Sequence, residues 1–235
     1  LNGRPIFLKK SNMNKTVLIT GTTSGVGASI AHSFIEKRWN VIGFARGVSL
    51  FNFKNYEHHM VDIMDPFALE DAFREIGKID ILINNAAVFA MKPFTQTSFK
   101  EIDNMIDTNL KGSMYVTRFA LTKMDRGGRI FFINSVAGLE ELENQSAYCA
   151  SKHGLTGFAG VLGEELRSRD IKVTSIHPGG IDTPLWDRDV AYPCGDVSKA
   201  ISPLEIVRAI DFVCDSKFNV EYKTIKLFPD TEWHK

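Results

Sequence analysis

One short stretch limits what this chain can fold into more than any other. Residues 15–20 (KTVLIT) form a short, β-branched apolar run of the kind that makes a strand buried on both faces. It runs directly into Gly21-Thr22-Thr23-Ser24-Gly25-Val26-Gly27. Val26, Ile30, Phe34 and Ile35 then recur at helical spacing as far as about Arg38. A strand, a glycine turn and a helix start in immediate succession make an anion site. The first N–H groups of the helix have no partner within it, and glycine's missing Cβ lets a pyrophosphate come close. A glycine turn that only joins two elements is the plainer alternative, but the strand–turn–helix setting favours the phosphate site. The spacing is G-x-x-x-G-x-G, not the G-x-G-x-x-G of the commoner dinucleotide fold.

The rest of the chain repeats the alternation. Residues 40–45 (NVIGFA) read as a second strand and 58–62 as a third. Asp65-Pro66 opens a helix, with Asp as N-cap and Pro in the first turn, that ends at Gly77. Residues 80–84 (DILIN) are a fourth strand running into Asn85-Ala86-Ala87. Ser98 caps a helix leading into a longer one through Asn109, Tyr115 and Phe119 to Met124, and residues 125–128 turn the chain. Residues 129–134 (RIFFIN) are a fifth strand ending at Ser135, and a helix over 146–169 carries Tyr148 and Lys152. Residues 171–177 are a sixth strand, stopped by Pro178-Gly179-Gly180; a helix over 203 to about 215 and a strand over 223–228 finish the series. Strands alternating with helices predict an α/β fold: a single-domain, Rossmann-type, doubly wound parallel sheet of about seven strands with helices on both faces. No linker or internal repeat interrupts residues 13–235. Residues 1–12 lack periodicity and are expected to be a leader outside the fold.

Composition removes several classes of function. Lys plus Arg equals Asp plus Glu at 28 each, which argues against nucleic acid or an anionic membrane as the main partner. No apolar run approaches the ~18 residues of a membrane span. The three cysteines (Cys149, Cys194 and Cys214) are odd in number and far apart, which suits reduced thiols in a cytoplasmic protein. The six histidines show no metal-ligand spacing, so no metal is expected.

Chemistry is expected where the strands end, because ligands of such sheets sit at the carboxyl ends of the strands. The glycine turn, Arg46, Asp62, Asn85, Ser135 and Pro178 all fall there. Where an acidic residue would bond an adenosine ribose, the second strand ends in Ala45 followed by Arg46. A guanidinium with no opposing carboxylate suits a 2′-phosphate, so NADP(H) is expected over NAD(H). A solvated loop arginine is the alternative. Tyr148 and Lys152 stand at i and i+4, one turn apart on one helix face. An ammonium beside a phenol favours the phenolate, so Lys152 is expected to lower the Tyr148 pKa toward neutrality and fit it to move a proton.

With these residues in place the chain resembles the short-chain dehydrogenase/reductase family, in its standard-length branch (carbonyl-reductase or 3-oxoacyl-reductase-like). The resemblance covers nearly the whole chain. It rests on T-G-x-x-x-G-x-G at residues 20–27, N-N-A at 84–86, Asn109, Ser135, Y-x-x-x-K at 148–152 and P-G-x-x-x-T at 178–183. Ala87 departs from it, standing where the family has glycine. The resemblance implies an NADP(H)-dependent oxidoreductase acting on a small-molecule carbonyl or secondary alcohol. Tyr148 would be the general acid/base, Ser135 would orient the substrate oxygen, and Lys152 would hold the nicotinamide ribose. Asn109 would hold a relay water. Gly21, Thr23, Ser24, Gly25, Val26 and Gly27 would line the pyrophosphate and adenosine side, with Asp62 and Ile63 at the adenine. Asn85, Ala86 and Ala87 would lie by the nicotinamide ribose, and Pro178, Gly179, Ile181 and Thr183 at the carboxamide. A dinucleotide-sensing regulatory protein without turnover is the rival reading.

Several residues remain open between a plain and a sharper role. Cys149, His153 and His177 read as structural. Glu140, Glu141 and Glu143 are expected in a loop rimming the pocket, either simply solvated or repelling anionic substrates. The loop over 184–202, with Trp186, Tyr192 and Cys194, is expected to act as a lid. The 146–169 helix carries Gly154, Gly157, Gly160 and Gly163, each costing up to ~1 kcal/mol relative to alanine. Close packing on the sheet or on another subunit would offset this, and with the resemblance a homodimer or homotetramer built partly on this helix and the Asn109 helix is expected.

Overall fold

The computed structural model of the 235-residue chain describes residues 15–186, 196–217 and 219–230. The 1–12 leader, Tyr192 and Cys194 therefore lie outside the described residues. Its elements run β1 (Thr16–Thr20), α1 (Gly25–Glu36), β2 (Asn40–Ala45), β3 (Tyr56–Met60), α2 (Pro66–Glu75) and β4 (Ile79–Asn84). There follow α3 (Phe99–Ile106), α4 (Ser113–Ala120), β5 (Met124–Ile133), α5 (Ser146–Glu165), β6 (Lys172–Pro178), α6 (Pro203–Asp215) and β7 (Thr224–Leu227). The strands form one sheet in the order β3-β2-β1-β4-β5-β6-β7, every pairing parallel. From β1 the chain works outward through β2 and β3, then returns to the middle and works the other way from β4. The order thus reverses between β1 and β4, and the connections leave a crevice at that seam.

Two apolar layers hold the sheet. Successive side chains of a strand point to opposite faces, and the core residues sort accordingly. Leu18, Phe44, Leu82, Ile130 and Phe132 pack with residues of α2, α4 and α5. Val17, Ile19, Ile83, Phe131 and Ile133 pack with residues of α1 and α6. Helices on both faces force near-continuous apolar strands, which is why the central ones were readable in the sequence.

Four elements differ from the sequence reading. The third strand is Tyr56–Met60, two residues earlier than expected. It is an edge strand whose sheet partner is β2, so none of its residues is fully buried and its apolar signal is weak. The expected turn over 125–128 is a bulge inside β5: Met124 pairs with Ile79 and Arg129 with Ile81, and Gly127 takes φ 84°. The expected long helix through Asn109 is two helices joined by a π-helical turn, Asp107–Gly112. The catalytic-helix candidate stops at Glu165 and continues as a 3₁₀ turn to Arg169.

The glycine turn is set by contact as well as by dihedral angle. Gly21 and Gly25 take φ 75° and 52°, which strain a side chain. A Cβ on Gly27 would stand 2.1 Å from the Gly21 carbonyl oxygen. Helix α1 can therefore sit this close to β1 only with hydrogen at position 27. Gly27→Ala should force the two apart, cost roughly 1–3 kcal/mol as an overpacked site and lower the urea midpoint.

Candidate active site

A cleft of about 810 Å³ opens along the carboxyl ends of the strands. Its floor is the glycine turn. The N-cap of α1, Ser24, makes no side-chain cap hydrogen bond, and the first turn carries no acidic residue. The first backbone N–H groups of α1 are thus left to whatever enters the cleft. Thr20 Oγ1 accepts from the backbone N–H of Asn85 and of Ala86, both at 2.9 Å. Asn85 Nδ2 donates to the Thr20 carbonyl at 2.9 Å. These bonds clamp the ends of β1 and β4 at the seam.

Most of the expected cofactor positions meet in this cleft. Gly21, Thr23, Ser24, Gly25, Val26, Arg46, Asp62, Ile63, Asn85, Ala86, Ala87, Pro178, Gly179, Ile181 and Thr183 all line it. Gly27 does not; it packs behind the turn. The Asn85 side chain is committed to the glycine turn, so it acts on the cleft through that turn. Arg46 is exposed just past β2. Asp62 is exposed and folds its carboxylate back, accepting from Met64 N–H at 2.9 Å.

Ser135, Tyr148 and Lys152 converge on the other half of the cleft. Ser135 follows β5 in an extended conformation and caps a 3₁₀ turn, its Oγ accepting from Ala137 N–H at 3.1 Å. Tyr148 and Lys152 share one face of α5, and Lys152 Nζ lies 5.6 Å from the Tyr148 ring centre. That ammonium is buried and donates to the Ile133 carbonyl at 3.2 Å. Burial pulls the Lys152 pKa down to about 8. Burial likewise pushes the Tyr148 phenol up to about 12, and its hydrogen bond with Ser135 pulls the other way. The expectation that Lys152 would draw Tyr148 toward neutrality is therefore reversed in this arrangement. Withdrawal from water disfavours both charged forms and is the largest cause of each shift. At neutral pH the tyrosine keeps its proton and is set up to donate it.

Asn109 stands behind the wall, buried in the π-helical turn. Its Oδ1 accepts from Val88 N–H at 2.7 Å, and its Nδ2 donates to the Val88 carbonyl at 2.9 Å and to Ser151 Oγ at 3.1 Å. Ser151 in turn donates to the Tyr148 carbonyl at 2.7 Å. Asn109 thus joins the segment after β4 to α5, and its side chain is fully used in doing so.

Phe89 belongs to the site without having been singled out, and it meets Trp186 of the expected lid. Phe89 lies edge-on to Tyr148, ring centres 4.7 Å apart, and edge-on to Trp186 at 5.6 Å. Trp186 lines the cleft, its indole N–H donating to the Ile181 carbonyl at 2.7 Å. A lone Phe after N-N-A-A carries no periodic signal; only its spacing after β4 could have pointed to it. His177 is buried and hydrogen-bonds the Ser135 carbonyl through Nδ1–H at 2.9 Å, while its Nε2 has no partner among the described residues. His153 and Cys149 also have local partners, in the Cys149 and Glu140 carbonyls. Glu141 and Glu143 are exposed, and this stretch lines the cleft through Leu142 and Gln145 instead. In α5, a Cβ on Gly154 would meet the Leu110 side chain at 2.8 Å, whereas Gly157 and Gly160 face nothing within 4 Å.

The model of the short chain dehydrogenase family matches residues 15–191. The chain belongs to the short-chain dehydrogenase/reductase family. The 3-oxoacyl-acyl-carrier-protein reductase FabG of Salmonella typhimurium is 32% identical over 183 residues, covering 73% of this chain and 75% of that protein. Among solved structures, BdcA in complex with NADPH superimposes with a TM-score of 0.80 at 26% identity, covering 92% of this chain and 94% of its own. 4-Hydroxyisoleucine dehydrogenase complexed with NADH gives 0.78 at 26%, covering 94% and 100%. This family member is an NAD(P)-dependent oxidoreductase with a Rossmann-type fold. None of its described helices is long and apolar enough to cross a membrane.

The buried lysine has a thermodynamic signature. Unfolded, a lysine keeps its proton to about 10.5, whereas folded Lys152 releases it near 8. Between those values the unfolded chain binds the extra proton, so stability rises with pH. Tyr148 acts oppositely, and only above about 10, where the fold holds a proton the unfolded phenol has lost. Relative to Lys152→Met, the protein without ligands should gain roughly 1–3 kcal/mol between pH 7 and pH 10, read by urea unfolding.

Proposed function

We propose that this protein transfers a hydride between NADP(H) and a carbonyl or secondary alcohol, with Tyr148 as general acid in reduction and general base in oxidation. The convergence of Tyr148, Ser135 and Lys152 in the same cleft as the glycine turn carries this reading. The dinucleotide fits what lies there. Two left-handed glycines, an α1 N-terminus without a side-chain cap and the absent Cβ of Gly27 make a cradle for a pyrophosphate. Arg46 beside a β2 end without a carboxylate suits the 2′-phosphate of NADP(H). When bound, the nicotinamide gives or takes the hydride.

The chain's own residues do the rest. Ser135 offers its hydroxyl to the substrate oxygen and fixes it beside Tyr148. Tyr148, protonated at neutral pH, delivers its proton to that oxygen as negative charge develops there. Lys152, mostly protonated near neutrality, places a buried positive charge beside the phenol as it gives up its proton. It also provides the donors expected to hold the nicotinamide ribose. Asn109 fixes the position of α5, and through it of Tyr148, from behind. Phe89, Trp186, Leu142 and Leu185 give this part of the cleft an apolar wall among the described residues, which favours a substrate with an uncharged body.

Tyr148→Phe should leave NADPH affinity within about twofold and drop turnover by roughly 10²–10⁴-fold, the worth of a positioned proton donor. Full activity in that variant would overturn the assignment. We further infer a homodimer or homotetramer. Gly157 and Gly160 face open space on α5, and Val161 and Phe99 are 60% and 86% exposed on α5 and α3. Light scattering at micromolar concentration should give a multiple of 26.3 kDa; a monomeric mass would reject this.

A further inference from the structure

A hydrogen-bonded chain of side chains connects the glycine turn to the Arg46 turn, and the mechanism above does not use it. Thr22 Oγ1 and Tyr56 Oη are 3.0 Å apart, Tyr56 Oη and His58 Nδ1 are 3.1 Å apart, and His58 Nε2 lies 2.8 Å from the Gly47 carbonyl oxygen. The carbonyl at one end fixes the direction of the first bond, and with Nδ1 unprotonated the other two follow. A carbonyl only accepts, so His58 donates through Nε2–H. Neutral His58 then has a bare Nδ1, which accepts from the Tyr56 hydroxyl. The Tyr56 oxygen accepts in turn from Thr22 Oγ1–H.

The path joins two places that act on one ligand. Thr22 is fully buried inside the turn that faces the pyrophosphate. Gly47 follows Arg46, and both line the cleft. The backbone of Gly47 also lies over Thr23, whose Cγ2 would be 3.7 Å from a Cβ there. Tyr56 is held from its other side by Phe51, ring centres 5.1 Å apart and nearly perpendicular.

A second observation supports the path independently. Gly43, in the middle of β2, has an ordinary strand conformation and does not need glycine for its dihedral angles. A Cβ there would stand 2.2 Å from Tyr56 Oη and 2.6 Å from Thr22 Oγ1. Glycine within a strand weakens it and marks a close approach. Here the space above Gly43 is taken by the two hydroxyls of the path.

We infer that the Thr22–Tyr56–His58 path is a positioning device that fixes the Arg46–Gly47 turn against the glycine turn, and so sets selectivity for a dinucleotide bearing a 2′-phosphate. Tyr56 and His58 are positioning residues that act through the Gly47 carbonyl. The inference rests on the reading of Arg46 as the 2′-phosphate ligand, and the test separates the two.

Dissociation constants for NADPH and NADH are measured by titration calorimetry on the wild type, Arg46→Ala, Tyr56→Phe, His58→Ala and His58→Gln, with thermal midpoints alongside. The wild type should prefer NADPH, and Arg46→Ala should remove the preference. Tyr56→Phe and His58→Ala should weaken NADPH about 3- to 10-fold, the worth of one hydrogen bond, and leave NADH within about twofold. His58→Gln, whose amide N–H can reach the Gly47 carbonyl, should keep most of the preference. If Arg46→Ala removes the preference but Tyr56→Phe and His58→Ala retain it, the path has no part in selectivity. Equal losses for both dinucleotides would make it a fold-supporting contact only, which also overturns the inference. An unchanged ratio in Arg46→Ala, or a wild type without preference, rejects the 2′-phosphate reading and the inference with it.

Discussion

The seam between β1 and β4 governs the rest of the molecule. Parallel order reverses there, so the connections on either side diverge and leave a cleft that neither half would form alone. Left open, such a seam would expose backbone N–H groups and let its two lips drift. The Thr20 hydroxyl prevents both by accepting from Asn85 and Ala86, while Asn85 returns a bond to Thr20. The Gly27–Gly21 contact then brings α1 down onto the same spot. The glycine turn, the start of α1 and the segment after β4 are placed relative to this small group of atoms.

The electrostatics of the second half follow from burial. Placing a lysine 2% exposed with one backbone acceptor opposes folding, as its lowered pKa records. A core designed for stability alone would hold an apolar residue there. The same withdrawal from water that penalises the ammonium keeps the neighbouring phenol protonated. Both groups are displaced chiefly by partial withdrawal from water, and perturbed groups in a cleft are where chemistry concentrates.

Much of this was legible in the residues because its signals were local. Strands buried on both faces read as apolar runs, and the glycine turn, Asn109, Ser135, Tyr148 and Lys152 sit at fixed offsets from them. What escaped depended on contacts distant in sequence. The edge strand β3 was placed two residues late because its half-exposed residues (YEHHM) offer no apolar run. The direction of the Tyr148 shift was misjudged because residue spacing shows a neighbouring charge and not the surrounding dryness. Phe89 was missed because its importance lies in reaching Tyr148 and Trp186 across the cleft. The bulge in β5 looked like a turn, since glycine and aspartate serve both.

The π-helical turn at Asp107–Gly112 has a consequence for how this chain tolerates change in length. It holds one residue more than an ordinary helical turn would, and that surplus lets Asn109 face Val88 while α4 still presents Val116 and Ala120 to the sheet. Shortening the segment by a single residue would restore regular winding and swing everything before it through ~100°. Met105 would leave the core, and Asn109 would lose both Val88 and Ser151. Length is as fixed at this point as identity is at Tyr148, although no side chain here reaches the cleft except Thr108.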